Sequence, residues 1–186
     1  MDYFALDLEA KYQHLCSTPS DINDALPTLR RYASQCRRVT EFGVRTAVST
    51  TALLAAQPDV LTSYDLELNL QFLNDLFRVK GRTQFNFWKG DSRTIDIEPT
   101  DLLLIDTCHQ YRQLKTELER HSGKVTRFII LHDTTIYRNV DEGDSDTEKK
   151  GLWPALEEFV AREPWWNVTE QIVSRSGLTV LKRGAL

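Results

Sequence analysis

The chain has 186 residues, of which 41% are hydrophobic and 27% charged, the balance of one globular domain with enough apolar mass for a buried core. Eight glycines and six prolines are too few for a collagen-like or linker-dominated chain. With 23 basic against 27 acidic side chains the net charge is −4, which gives no global attraction to nucleic acid or to an anionic membrane, so a small-molecule partner is the default.

Cys16, Cys36 and Cys108 are odd in number and show no CxxC spacing; they support neither a disulfide framework nor a zinc ribbon and suit a reducing compartment. Residues 1–7 carry acids where a secretory leader needs basic residues. No apolar run approaches the roughly 18 residues of a membrane span, and the expectation is a cytoplasmic, soluble chain with no membrane partner. Self-association is left open. Asn167-Val168-Thr169 matches a glycosylation acceptor by chance.

In chain order, Ile22, Leu26, Leu29, Ala33 and Cys36 form a helical stripe, with Pro27 tolerated in the first turn after a cap at Asp24. Residues 1–37 are therefore expected as an N-terminal helical extension, before a domain at 38–186. From there short apolar runs at 38–42, 60–64, 83–88, 102–105 and 128–131 predict five strands. Helical patterns separate them: an Ala-rich stretch at 46–57 stopped by Pro58, then Leu70, Leu73, Leu76 and Phe77 stopped by Gly81, then Tyr111, Leu114 and Leu118 before Gly123. Repeated βα units imply a mostly parallel sheet, and the continuously apolar fourth and fifth runs belong at its centre.

Residues 137–150 are polar, acidic and aperiodic, which reads either as a surface insertion or as a substrate lid. A fourth helix takes Leu152, Leu156, Phe159 and Val160 before Pro164. The runs 166–173 and 178–181, around Ser174-Arg175-Ser176-Gly177, predict an antiparallel hairpin. The fold class is α/β: a Rossmann-like, doubly wound, mostly parallel sheet with a C-terminal antiparallel hairpin and N-terminal helices.

Ligands of an open parallel sheet sit at the carboxyl ends of its strands. Those ends carry Glu41-Phe42-Gly43, Asp65, Gly90-Asp91-Ser92, Asp106-Thr107-Cys108-His109 and His132-Asp133-Thr134, with an acid at every one. A phosphate site needs glycines, backbone N–H groups and cations instead, and neither GxGxxG nor a Walker pattern is present, so a cationic ligand or a metal fits better. His14 and His121 fall in helical stretches and read as solvated. His109 and His132 fall at strand ends, and His132 reads as a partly buried histidine that orients Asp133. Trp153, Trp165 and Trp166 read as core, and the Arg30, Arg31, Arg37, Arg38 cluster as a solvated face.

Over about residues 38–183 these motifs, in this order, resemble the class I S-adenosylmethionine-dependent methyltransferases. Glu41-x-Gly43 resembles the family's first motif, with Arg45 and Ala47 where later glycines stand and Ser49 or Thr50 as compensating groups. Asp65, 24 residues beyond Glu41, matches the acid that bonds the ribose hydroxyls. Gly90-Asp91-Ser92 matches the adenine loop, and Asp106 the acid of the fourth strand.

The finer resemblance is to the catechol O-methyltransferase-like and cephalosporin-hydroxylase-like branch, carried also by the blocks IDTCHQYRQLKTEL, FIILHDTT and GLWPALEEF. It implies S-adenosylmethionine as cofactor, with Glu41, Gly43, Ser49, Asp65, Asp91, Ser92 and Asp106 as its binding residues. It also implies a divalent cation, Mg²⁺, on Asp106 and Asp133. Thr134 stands where catechol-type enzymes carry an asparagine, and His109 where they place a catalytic lysine, so His109 and Asp106 are the expected catalytic pair. The reading is methyl transfer to a hydroxyl of a small acceptor. A nicotinamide-dependent oxidoreductase and a non-catalytic partner subunit of the same fold are its rivals.

Overall fold

The computed structural model describes residues 3–67, 69–143, 148–174 and 176–184. Among these residues seven strands form one sheet: β1 (Arg38–Phe42), β2 (Val60–Asp65), β3 (Gln84–Lys89), β4 (Thr100–Ile105), β5 (Val125–His132), β6 (Trp166–Ile172) and β7 (Leu178–Arg183). Their spatial order is β3-β2-β1-β4-β5-β7-β6, parallel throughout except β7, which runs antiparallel to both β5 and β6. The expected five parallel strands and the terminal hairpin are all present. Within the hairpin turn, Arg175 lies outside the described residues.

Alternation along the central strands divides the core into two layers. Leu102 and Leu104 of β4 face a cluster that includes Val39, Leu61, Phe128 and Ile130. The same cluster holds residues of α1 (Leu8–Ser17), α2 (Leu26–Ala33), α3 (Val48–Ala55) and α4 (Leu70–Val79). Leu103 and Ile105 face the other way, onto Ile129, Leu131 and the inner stripes of α5 (Tyr111–His121) and α6 (Leu152–Arg162). A strand covered on both faces has no polar side to show, which is why the fourth and fifth runs are uninterrupted apolar sequence.

The N-terminal helices share the core of the sheet. Leu26, Leu29 and Ala33 are wholly buried, and Arg31 and Tyr32 reach across to Glu170 on β6. Asp24 does not cap α2: the N-cap is Ala25, with no side-chain bond, and the helix stops at Ala33 rather than continuing to Cys36. Capping does occur at α1, where Asp7 accepts from the Ala10 amide at 2.8 Å. The helix expected at 46–57 begins only at Val48, because Ala47 sits at φ +65°, a left-handed conformation no helix can contain. Among the described residues, no helix is long and apolar enough to cross a membrane.

Candidate active site

The carboxyl ends of β1, β2, β4 and β5 lie side by side and bring most of the sequence-predicted residues into two adjoining clefts. Gly43 follows β1 at φ +88°, so close to β4 that a Cβ there would stand 1.8 Å from the Asp106 carbonyl oxygen. Only glycine permits both the torsion and the approach. The loop after it then passes through Arg45 at φ +45° and Ala47 at φ +65°, left-handed positions held without glycine.

Asp65, at the end of β2, secures this loop. Its Oδ2 accepts from the Val44 and Arg45 amides at 2.7 and 2.9 Å, and its Oδ1 accepts from Glu67 N at 3.0 Å. Gly43, Asp65, Asp91, Ser92 and Asp106 line one cleft of about 340 Å³, together with Tyr64, Leu66 and Gln113. Asp91 is paired with Arg93, which holds its carboxyl below the ordinary range.

Glu41 is placed differently. Its carboxylate is wholly enclosed beneath the loop and accepts from Ser49, Thr50 and Ser63 hydroxyls at 2.7, 2.9 and 2.6 Å. Ser49 is thus bonded to Glu41, while it also borders the second cleft. Burial drives the Glu41 carboxyl up to about 7, against the three hydroxyl bonds that favour its charge.

A second buried carboxyl, Glu117 on α5, escaped sequence reasoning because it falls on an otherwise polar stretch. Its Oε1 accepts from Ser92, Gln113 and Thr107 while its buried Oε2 has no partner among the described residues, and burial raises it to about 7 as well. His121, expected to be solvated, is buried: its Nε2 lies 2.6 Å from the Ser92 carbonyl oxygen and its ring packs edge-on to Phe42. The helix pattern placed it near the C-terminus of α5 but could not show that this end faces the sheet.

A raised carboxyl titrates with a definite sign. The folded form holds the proton more tightly than the unfolded chain, so this stabilising contribution is complete below about 4.5 and is lost as pH rises through about 7. Glu117→Gln is therefore expected to matter little at pH 5 but to raise stability at pH 8 by on the order of 1 kcal/mol or more relative to the unsubstituted chain. Urea midpoints at the two pH values measure this; an equal effect at both would refute it.

The second cleft, of about 180 Å³, is bordered by Gly43, Ser49, Asp106, His109, Asp133 and Glu142. Here four side chains converge. His109 Nε2 lies 3.2 Å from Asp106 Oδ1 and 3.0 Å from Asp133 Oδ2. His132 Nδ1 lies 3.2 and 3.3 Å from the same two oxygens. Asp133 takes φ +58°, a conformation that aspartate tolerates better than most residues.

Although burial opposes its charge, Asp106 is held down at about 2 by the two imidazoles, and Asp133 is lowered by the same pair. Burial alone would drive both histidines toward neutrality, yet the facing carboxylates raise each to about 10.

The far side of His109 is engaged too. Its Nδ1 is 2.9 Å from Glu142 Oε2, and its ring stacks on Tyr137 with centroids 4.8 Å apart and planes 2° from parallel. The Glu142 amide donates to the His109 carbonyl and the His109 amide to Glu142 Oε2; together with Asp141 accepting from the Tyr111 and Gly151 amides, these bonds fasten this part of the 137–150 segment to the site. The segment read as insertion or lid includes residues 144–147, which lie outside the described residues. Glu142 could not be found from the sequence, since an acid in an aperiodic loop carries no positional signal.

No protein-family model matches the sequence, and no curated protein matches it. Solved structures do. A candidate caffeoyl-CoA O-methyltransferase from Staphylococcus aureus superposes with a TM-score of 0.68 at 13% identity, covering 96% of this chain and 93% of that one. The O-methyltransferase from Bacillus cereus, in complex with S-adenosylhomocysteine, gives 0.66 at 17% identity over 95% and 90%. The N-methyltransferase NodS from Bradyrhizobium japonicum gives 0.62 at 14% identity over 87% and 96%. With strand order, hairpin and these superpositions in agreement, the chain has the class I S-adenosylmethionine-dependent methyltransferase fold.

Proposed function

We propose that this chain transfers a methyl group from S-adenosylmethionine to a hydroxyl of a small acceptor, with a divalent cation bound beside the donor. The observation that carries the reading is the shared wall at Asp106. On one side is the cleft of Gly43, Asp65, Asp91 and Ser92; on the other is the Asp106 and Asp133 pair, open to a second cleft. Donor and acceptor can thus meet over one residue.

The donor site suits a cation that brings its own activated methyl group. Acidic strand ends face the cleft, the loop carries no phosphate cradle, and the carboxylate of Asp65 offers acceptor capacity to ribose hydroxyls beyond the three amides it already holds. Little covalent catalysis is required of the protein, whose task is to align the acceptor for in-line attack. A bound divalent ion supplies charge that acidifies a coordinated hydroxyl. Asp106 and Asp133 would hold it, and their convergent oxygens fit that use. Nitrogen is the competing acceptor, as in NodS; a carboxylate pair favours oxygen because an amine gains less from a neighbouring cation.

Calorimetric titration of S-adenosylhomocysteine, once in EDTA and once with Mg²⁺, tests the donor without knowledge of the acceptor. Binding is expected under both conditions. Asp65→Ala is expected to weaken it by about tenfold or more, the worth of one hydrogen bond to a charged group. Asp133→Asn keeps a residue that accepts the left-handed backbone and should leave donor affinity within about threefold while removing the separate heat of Mg²⁺ binding. No binding in either condition, or the two variants exchanging effects, would sink the assignment.

A further inference from the structure

The two histidines beside the carboxylate pair point to a more specific metal site than two aspartates alone would make. We infer that Asp106, His109, His132 and Asp133 together bind one first-row divalent transition ion, of the Mn²⁺, Fe²⁺, Co²⁺ or Zn²⁺ class, in preference to Mg²⁺. Its role in methyl transfer rests on the proposed function; its binding does not.

The distances carry the argument. One ligand atom from each residue lies within 4.8 Å of all the others. The four histidine-to-carboxylate separations are 3.0, 3.2, 3.2 and 3.3 Å. Charge-assisted N–H···O bonds are shorter, about 2.7–2.9 Å, and a ring N–H aims at one acceptor rather than dividing itself between two. Ligands about 2.1 Å from a common ion and at right angles to each other lie about 3.0 Å apart, and opposed ones about 4.2 Å. The cluster has the spacing of ligands round one centre.

The surroundings agree. Ligating histidines characteristically pass their outer nitrogen to a carboxylate, which fixes the ring and raises its basicity. Glu142 stands at 2.9 Å from the outer nitrogen of His109, and Tyr137 stacks flat on the same ring. His132 is buried and, among the described residues, its other nitrogen has no hydrogen-bond partner, so the polar contacts of that ring point at the two aspartates. Two imidazoles and two carboxylates form a mixed N/O set that suits transition ions; Mg²⁺ prefers oxygen and keeps its water. On this reading His109 is a ligand, not a free base.

The test uses EDTA-stripped full-length protein with Co²⁺ and Mg²⁺ as separate probes. Calorimetry is expected to give one Co²⁺ per chain, bound at least about tenfold tighter than Mg²⁺. X-ray absorption of the Co²⁺ form should carry the scattering signature of two imidazoles. His109→Ala and His132→Ala should each weaken Co²⁺ by about tenfold or more, remove one imidazole from the spectrum and leave Mg²⁺ affinity within about threefold. Glu142→Gln, on the loop, should weaken Co²⁺ by about tenfold through the outer hydrogen bond.

A Co²⁺ affinity equal to that of Mg²⁺, or a spectrum of the unsubstituted protein without imidazole, overturns the inference even if the buried His132 variant fails to fold. S-adenosylhomocysteine titrated in EDTA separates the two readings: loss of donor binding with the imidazole spectrum intact defeats the methyltransferase and keeps the metal site, and the converse does the reverse.

Discussion

Gly43→Ala is expected to lower the melting temperature by about 10 °C and to remove metal and donor binding together. The added methyl would stand 1.8 Å from the Asp106 carbonyl oxygen and 2.8 Å from its carbonyl carbon, both backbone atoms in a strand pair that cannot shift independently. At Asp106 the chain is locked to β1, its amide donating to the Phe42 carbonyl at 2.9 Å. Left-handed torsion costs about 1–2 kcal/mol for a non-glycine residue, and overpacking about 1–3 kcal/mol. Together that is about 3–4 kcal/mol, and a domain of this size loses about 2–4 °C per kcal/mol. Because the displaced residue, Asp106, borders both clefts, the functional loss should exceed what instability alone produces. Calorimetric melting and Co²⁺ titration at 15 °C measure the two effects; a shift under 2 °C with metal affinity retained would contradict the close approach.

The second large effect lies between α1 and α4. Lys11 on α1 is wholly buried and its ammonium meets Asp75 on α4 at 2.9 Å, donates to the Tyr3 carbonyl at 2.5 Å and sits 3.9 Å above the Tyr3 ring. Asp75 also accepts from Arg78 at 2.8 Å. Asp75→Ala leaves a buried ammonium without its carboxylate, and breaking such a pair costs about 3–5 kcal/mol. The double variant Lys11→Met, Asp75→Leu removes both charges and should recover most of that loss, since a pair of apolar side chains is often as stable as a buried ion pair. Urea unfolding of the three proteins decides it. A double variant no more stable than Asp75→Ala would mean that packing, not uncompensated charge, sets the cost.

The strands were legible because their physics is local. Continuous apolar sequence at 102–105 and 128–131 has only one home in an α/β protein, between two helical layers, and β4 and β5 lie there. Helix ends were less legible. Asp24 has the chemistry of a cap but α2 starts one residue later, and α3 is delayed by Ala47, whose left-handed torsion no apolar pattern signals. The burial of His121 and Glu117 was hidden for the same kind of reason: both belong to a polar helix face that becomes interior only where it meets Ser92 and Phe42.

What the sequence alone determined is the strand order's raw material and the location of chemistry, since an acid immediately after each apolar run must emerge at the carboxyl edge of a parallel sheet. Asp65, Asp91, Asp106, His109, His132 and Asp133 were all named from that rule. Only the tertiary structure decided which of them meet. His109 and Asp106 are three residues apart, but Asp133 and Glu142 arrive from β5 and the loop beyond it, and the register of β5 on β4 fixes their distances. Glu41, next to Gly43 in every sequence argument, is turned under the loop to three hydroxyls instead of into the cleft. Strand-end position follows from periodicity, which is a property of the chain; the direction of a side chain at that end follows from torsions such as +88° at Gly43 and +58° at Asp133, which packing alone sets.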